Sequence, residues 1–227
     1  MLHTINDLGD PEPCKSILAV LCFTHRPITL KELGALVDLS GFRTNDEVKE
    51  VIESCGSFLT LQGSTVSFVH QSANDHLTKE ESMKIIFSDG LIERQHEEVV
   101  VLHSISAMGD LLRRDICNMR DLGCYIEDIG SAGRDPDPLE TIRYCCTYWL
   151  DHLCEVRCGG DGGNGELDID LIRDDGEVHK FLMEHLLHWL EALSIMKSIP
   201  GTTLKLVNTL EVSCPKFKIH SLKSTAS

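Results

Sequence analysis

The sequence predicts a mainly α-helical fold interrupted by one small β-hairpin. Apolar residues recur at helical spacing through most of the chain, and the pattern switches to strand-like alternation between Phe58 and Val69. Two capping boxes, Thr29-Leu-Lys-Glu32 and Thr44-Asn-Asp-Glu47, stand just ahead of that switch.

Each element has its own signal. Cys14 to His25 places Ile17, Leu18, Leu21 and Cys22 on one helical face and stops before Pro27. Thr29 opens a short helix through Leu30, Leu33, Leu36 and Val37, and Asp38 to Phe42 forms a turn. Thr44 opens the next helix, with Val48, Val51 and Ile52 inward and Gly56 as its left-handed stop. Phe58-Leu-Thr-Leu-Gln62 and Thr65-Val-Ser-Phe-Val69 flank Gly63-Ser64, the pattern of a hairpin. Ser72-Ala-Asn-Asp75 then begins another helix. Three helices followed by a two-stranded ribbon make a winged-helix pattern over residues 10–80.

A long helical pattern follows from Ile92 to Met119, after a turn at Ser88-Asp89-Gly90. Gly123 and the stretch Gly130 to Pro138 break the chain, and Pro138 suits the first turn of a helix through Ile142, Cys146, Trp149, Leu150 and Leu153. Residues 157–176, with Gly159 to Gly165 and several acids, read as a loop. Val178 to Met196 is apolar on most sides, so it packs against the Ile142 helix with Trp149 and Trp189 as large-area contacts. Residues 85–196 thus form a helical arm, and 197–227 a connecting or flexible tail.

Charge narrows the function. The chain of 227 residues carries 21 Lys and Arg against 36 Asp and Glu, a formal net charge of −15. Phosphate backbones and anionic lipid heads repel such a body. The helix that a DNA-binding winged helix would place in the major groove holds Asp46, Glu47, Glu50 and Glu53 against Lys49 alone. A protein-facing winged helix is therefore favoured, with a nucleic-acid-binding regulator as the alternative. No apolar run approaches the ~18–20 residues of a membrane helix, and acids precede Ile17 to Phe23 where a secretory signal needs positive charge. A cytoplasmic location is expected. The ten cysteines show no disulfide framework and read as free thiols.

Motifs for catalysis are missing. The sequence contains no phosphate-cradling P-loop, no Gly-x-Ser-x-Gly elbow and no His-Glu-x-x-His zinc helix. Gly160-Asp-Gly162-Gly-Asn-Gly165 has the dinucleotide glycine spacing but follows a helix and precedes acids, the wrong context for a pyrophosphate. Asp161, Glu166, Asp168 and Asp170 do not match the spacing of a calcium loop. Of His179, His185 and His188 only the last two are helical neighbours, so with Cys154 and Cys158 they make a poor zinc set. No metal, catalytic residue or cofactor of the isolated chain is expected. One candidate remains, His70, at the junction between the second hairpin strand and the next helix. Its bland reading is a packed imidazole orienting that junction; its functional reading is a donor to a phosphate held by a neighbouring domain.

Several short strings resemble the fungal NACHT-type STAND NTPases, which include heterokaryon-incompatibility proteins. They are Arg26-Pro-Ile-Thr-Leu-Lys-Glu-Leu33, Cys55-Gly-Ser-Phe-Leu59, Val69-His-Gln-Ser-Ala73, Arg113-Arg-Asp115, Asp135-Pro-Asp-Pro-Leu139, Ile142-Arg-Tyr144, Tyr148-Trp-Leu-Asp-His-Leu153 and Trp189-Leu-Glu-Ala-Leu-Ser194. Their order covers residues 14 to 196. The resemblance implies the region between a NACHT module and C-terminal WD or ankyrin repeats, as a winged helix plus helical arm. It also implies that His70, in Phe68-Val-His70, contacts the phosphate of ADP when a NACHT module is present. The partners implied are that module and the repeats, with ADP or ATP bound only through the module. Because the P-loop, the metal-binding acid and the repeats do not occur here, the expectation is a non-enzymatic regulatory segment, a fragment or truncated paralogue.

Overall fold

The computed structural model describes residues 11–37, 44–56, 58–86, 93–119, 137–158, 171–199, 201–202 and 205–206. Among them the chain is mainly helical, with one small antiparallel sheet. Helix α1 (Glu12–Phe23) buries Cys14, Ile17, Leu18 and Leu21. It ends where Thr24 turns extended and its hydroxyl donates back to the Leu21 carbonyl, three residues before Pro27.

Strand β1 (Ile28–Thr29) leads directly into α2 (Leu30–Leu36). Thr29 belongs to both, since an N-cap residue has extended backbone. Its hydroxyl accepts from the Glu32 amide while the Glu32 carboxylate accepts from the Thr29 amide, so the expected capping box is complete. Helix α3 (Asn45–Ser54) is capped by Thr44, which accepts from the Glu47 amide. It buries Val48 and Ile52 and exposes Asp46, Glu50 and Glu53. Gly56 stops it at φ +63°.

Strands β2 (Leu59–Gln62) and β3 (Thr65–Phe68) pair in register Leu59 with Phe68 through Gln62 with Thr65, turning at Gly63 with φ +64°. The hairpin is part of a three-stranded sheet of order β1-β3-β2, in which Ile28 faces Val66 and Thr29 faces Thr65. A two-residue strand is too short to show any period, which is why β1 leaves no pattern in the sequence. Helices α4 (Gln71–Leu77) and α5 (Glu80–Ile86) complete this part.

Helix α6 (Glu93–Leu111) is the central helix of the second part and packs against α1, α2, α7 (Arg143–Cys158) and α8 (Glu177–Ile195). It ends eight residues before Met119, short of the expected limit. The chain turns there so that Leu112 and Ile116 stay buried, with Asp115 and Asn118 at φ 52°. Short polar side chains tolerate that left-handed backbone best. The Asp115 carboxylate also accepts from the Met119 amide.

Turns at residues 138–142 precede α7, so Pro138 introduces the helix from a distance rather than occupying its first turn. Trp149 of α7 and Trp189 of α8 are fully buried with ring centroids 5.4 Å apart, edge to face, and the Trp189 indole donates to the Cys146 carbonyl at 3.0 Å. Helix α8 is not apolar-packed all round: Met183 and Leu187 are 74% and 77% exposed on its outer face. Past it, residues 201–202 and 205–206 are helical, with Thr202 buried and Lys205 paired to Asp151. The rest of the expected tail, and the glycines and acids of residues 159–170, lie outside the described residues. Cys14, Cys22, Cys55, Cys117, Cys154 and the adjacent buried pair Cys145 and Cys146 are free thiols.

Candidate functional site

His70 caps α4. Its extended backbone sets it at the N-cap, its Nδ1 accepts from the Ser72 amide at 3.2 Å, and the Ser72 hydroxyl lies 3.0 Å from the same nitrogen. The imidazole does orient the junction between β3 and α4, yet it is exposed rather than packed. With Nδ1 engaged, Nε2 is the nitrogen left to meet a ligand. Beside it, a cleft of about 250 Å³ is lined by His25, Arg26, Phe68, Gln71 and Asn74 among others.

A second cluster lies where the amino-terminal part meets α6 and α7. It begins with the capping box. Glu32, nearly fully buried, also takes the Arg26 guanidinium in a two-pronged ion pair. Such forks are the stronger kind of charge-assisted bond. The same guanidinium lies over the rings of Tyr144 and Tyr148, at 5.3 and 5.9 Å from their centroids. One carboxylate therefore caps α2 and holds an arginine against α7.

From Tyr144 the polar contacts continue inward. Its hydroxyl accepts from the His25 amide at 3.1 Å and lies 2.8 Å from His152 Nε2. His152 Nδ1 lies 2.5 Å from the Glu97 carboxylate of α6, and Glu97 is hydrogen-bonded in turn to Glu155. Burial holds His152 neutral, its pKa brought down to about 4. The bonding then assigns the protons: Tyr144 donates to Nε2, and Nδ1–H donates to the Glu97 carboxylate. Burial and the Glu97 bond push Glu155 up to about 7. His25, its ring 4.7 Å from that of His152, is lowered by desolvation and by its imidazole neighbour.

His25, His152 and Glu155 each offer a ligand atom, and these atoms all lie within 4.8 Å of one another. This is the metal-compatible group among the described residues, and no sequence spacing announces it. Its members come from the end of α1 and from α7, with Glu97 from α6 behind them. The histidines weighed from the sequence do not gather this way. His179 caps the turn before α8 by accepting from the Asp175 amide, while His185 and His188 have ring centroids 5.9 Å apart.

The cluster is suited to joining two parts of a chain. Nucleophilic chemistry is disfavoured at the nearby thiols, because burial pushes Cys22 and Cys145 up to about 12.

The chain is 36% identical over 213 residues to the vegetative incompatibility protein HET-E-1 of Podospora anserina, an alignment covering 88% of the chain. The chain is related to a fungal incompatibility protein. That relation supports kinship with the fungal NACHT-type proteins that the sequence strings resemble. The chain spans about 15% of the length of this relative. No family model matches the chain, and no solved structure matches it significantly. No helix among the described residues is long and apolar enough to cross a membrane.

Proposed function

We propose that this chain acts as a non-catalytic regulatory segment of a NACHT-type signalling switch, in the cytoplasm. A winged helix at residues 10–80 and a helical arm at 85–196 transmit the nucleotide state of a NACHT module to a repeat domain. The reading is carried by the 36% identity across 88% of the chain. It is supported by the polar seam between the two parts: a switch segment needs units that move together, and buried hydrogen-bonded charge couples them more specifically than apolar contact alone. The outward acids of α3, Asp46, Glu50 and Glu53, support a protein partner over nucleic acid.

In this reading the isolated chain holds no nucleotide tightly, and His70 reaches the phosphate of ADP through Nε2 once a NACHT module supplies the pocket. The test combines the chain with such a module and measures ADP release. The expected result is faster release from His70→Ala than from the parent. Equal release, or micromolar binding of ADP or ATP by the isolated chain, overturns the reading.

A further inference from the structure

We propose that His25, His152 and Glu155 bind one divalent transition-metal ion, with zinc the best match, at the seam between the amino-terminal part and the arm, with Glu97 as the outer partner of His152. This stands independently of the switch reading. Two imidazoles and a carboxylate, with water completing the shell, are a borderline donor set that suits zinc, cobalt or nickel, whereas calcium and magnesium prefer oxygen alone. The ligand atoms of His25, His152 and Glu155 already lie within 4.8 Å of one another. A tetrahedral ion with bonds of about 2.0–2.1 Å sets its ligands about 3.3 Å apart, so the group must draw in slightly.

The parts that must move are the ones that can. His25 lies on the exposed bend after α1, and Glu155 is exposed on α7, whereas His152 and Glu97 are buried and fixed by their bonds. The chemistry of the exchange is simple. In the ion's absence the Glu155 carboxyl can hold a proton. When the ion enters, that proton leaves to solvent. His152 stays neutral and keeps its Nδ1–H on the Glu97 carboxylate, so Nε2 is the nitrogen offered to the ion, in place of its bond from the Tyr144 hydroxyl 2.8 Å away. An outer hydrogen bond such as that to Glu97 fixes the tautomer of a ligating histidine. The neighbouring cation Lys205 is held by Asp151, which limits its repulsion of the ion.

Titration of the full chain with Co²⁺ and Zn²⁺ tests the site, with the thiols as the competing ligands to exclude. The expected results are one ion per chain, and visible absorption of a tetrahedral cobalt site without a thiolate charge-transfer band. His25→Ala and Glu155→Gln, both at exposed positions, should keep the parent circular dichroism and weaken binding by about tenfold or more. Cys154→Ser should leave it unchanged. A thiolate band, parent-like affinity in either ligand variant, or no saturable binding overturns the proposal.

Discussion

Residues 11–86 and residues 93–206 are secured on different length scales. In the first part nearly every boundary is set by a side chain acting within a few positions: Thr24 at the end of α1, the Thr29 and Glu32 box, Thr44, Gly56, Gly63 and His70. In the second, the decisive contacts join distant residues. Trp189 bonds Cys146 across 43 positions, His152 meets Glu97 across 55, and Asp115 donates its amide to Glu191 across 76. The element ends of the first part are therefore fixed locally, while the second depends on helices finding one another. The difference teaches where each is fragile: many small devices fail one at a time, but a few long-range contacts fail together.

The largest effect should come from the second part. Trp189→Ala removes a fully buried indole and leaves the Cys146 carbonyl without its donor. Loss of about 3–5 kcal/mol is expected by denaturant unfolding, as for other buried aromatics. Spectroscopic signals from the amino-terminal part should unfold later than those from α7 and α8 in this variant. A single shared transition at the parent midpoint would erase the difference between the two parts.

A smaller effect is expected at the seam. Tyr144→Phe keeps the ring under Arg26 but strips the hydroxyl that meets both the His25 amide and His152 Nε2. Leaving buried polar groups unmet costs about 1–3 kcal/mol. Hydrogen exchange should quicken in α6 and α7 while the α2 cap, held by Thr29 and Glu32, stays protected. Uniform quickening across both parts would mean that the seam does not couple them as described.

The smallest effect is a pH dependence, read in the presence of chelator. Burial lowers His152 from 6.5 to about 4 and lowers His25 as well, so the unfolded chain binds more protons and stability rises with pH up to about 6.5. Glu155 acts oppositely: raised from 4.5 to about 7, it favours the folded state at low pH, and that advantage is lost as pH rises through about 7. Between 4.5 and 6.5 Glu155 offsets part of the histidine trend, and above that range it acts alone. The unfolding midpoint should thus decline from about pH 6.5 to 8 and flatten in Glu155→Gln, whose amide imitates the protonated acid. A decline that survives Glu155→Gln assigns it to another group.

The legible part of the molecule was its local part. Capping boxes, a glycine stop and a hairpin turn are written in contiguous residues, so most of residues 11–86 follow from the sequence. Strand β1 escaped because its partner is Val66, 38 positions on from Ile28. The end of α6 escaped because the burial of Leu112 and Ile116 overrides a helical pattern that continues past Leu111. His70 was legible as a junction residue, though not its exposure or the nitrogen it commits. The seam was the least legible, since His25 and Glu97 look unremarkable alone. One trace existed: Glu97 falls in step with buried Val100, Val101, Ser104, Ile105 and Met108, and His152 with Cys145, Trp149 and Val156. A charged or polar residue in phase with an apolar stripe must find a buried partner.

The bond from the His25 amide to the Tyr144 hydroxyl spans 119 positions. A ribosome adds about 5–20 residues per second, so residues 11–86 exist for seconds before Tyr144 is made. Throughout that interval the side of α2 destined for α6 and α7 has nothing to cover it. The nascent chain thus passes through a stage with one finished half and one bare face, and that face is what a chaperone at the exit tunnel would meet.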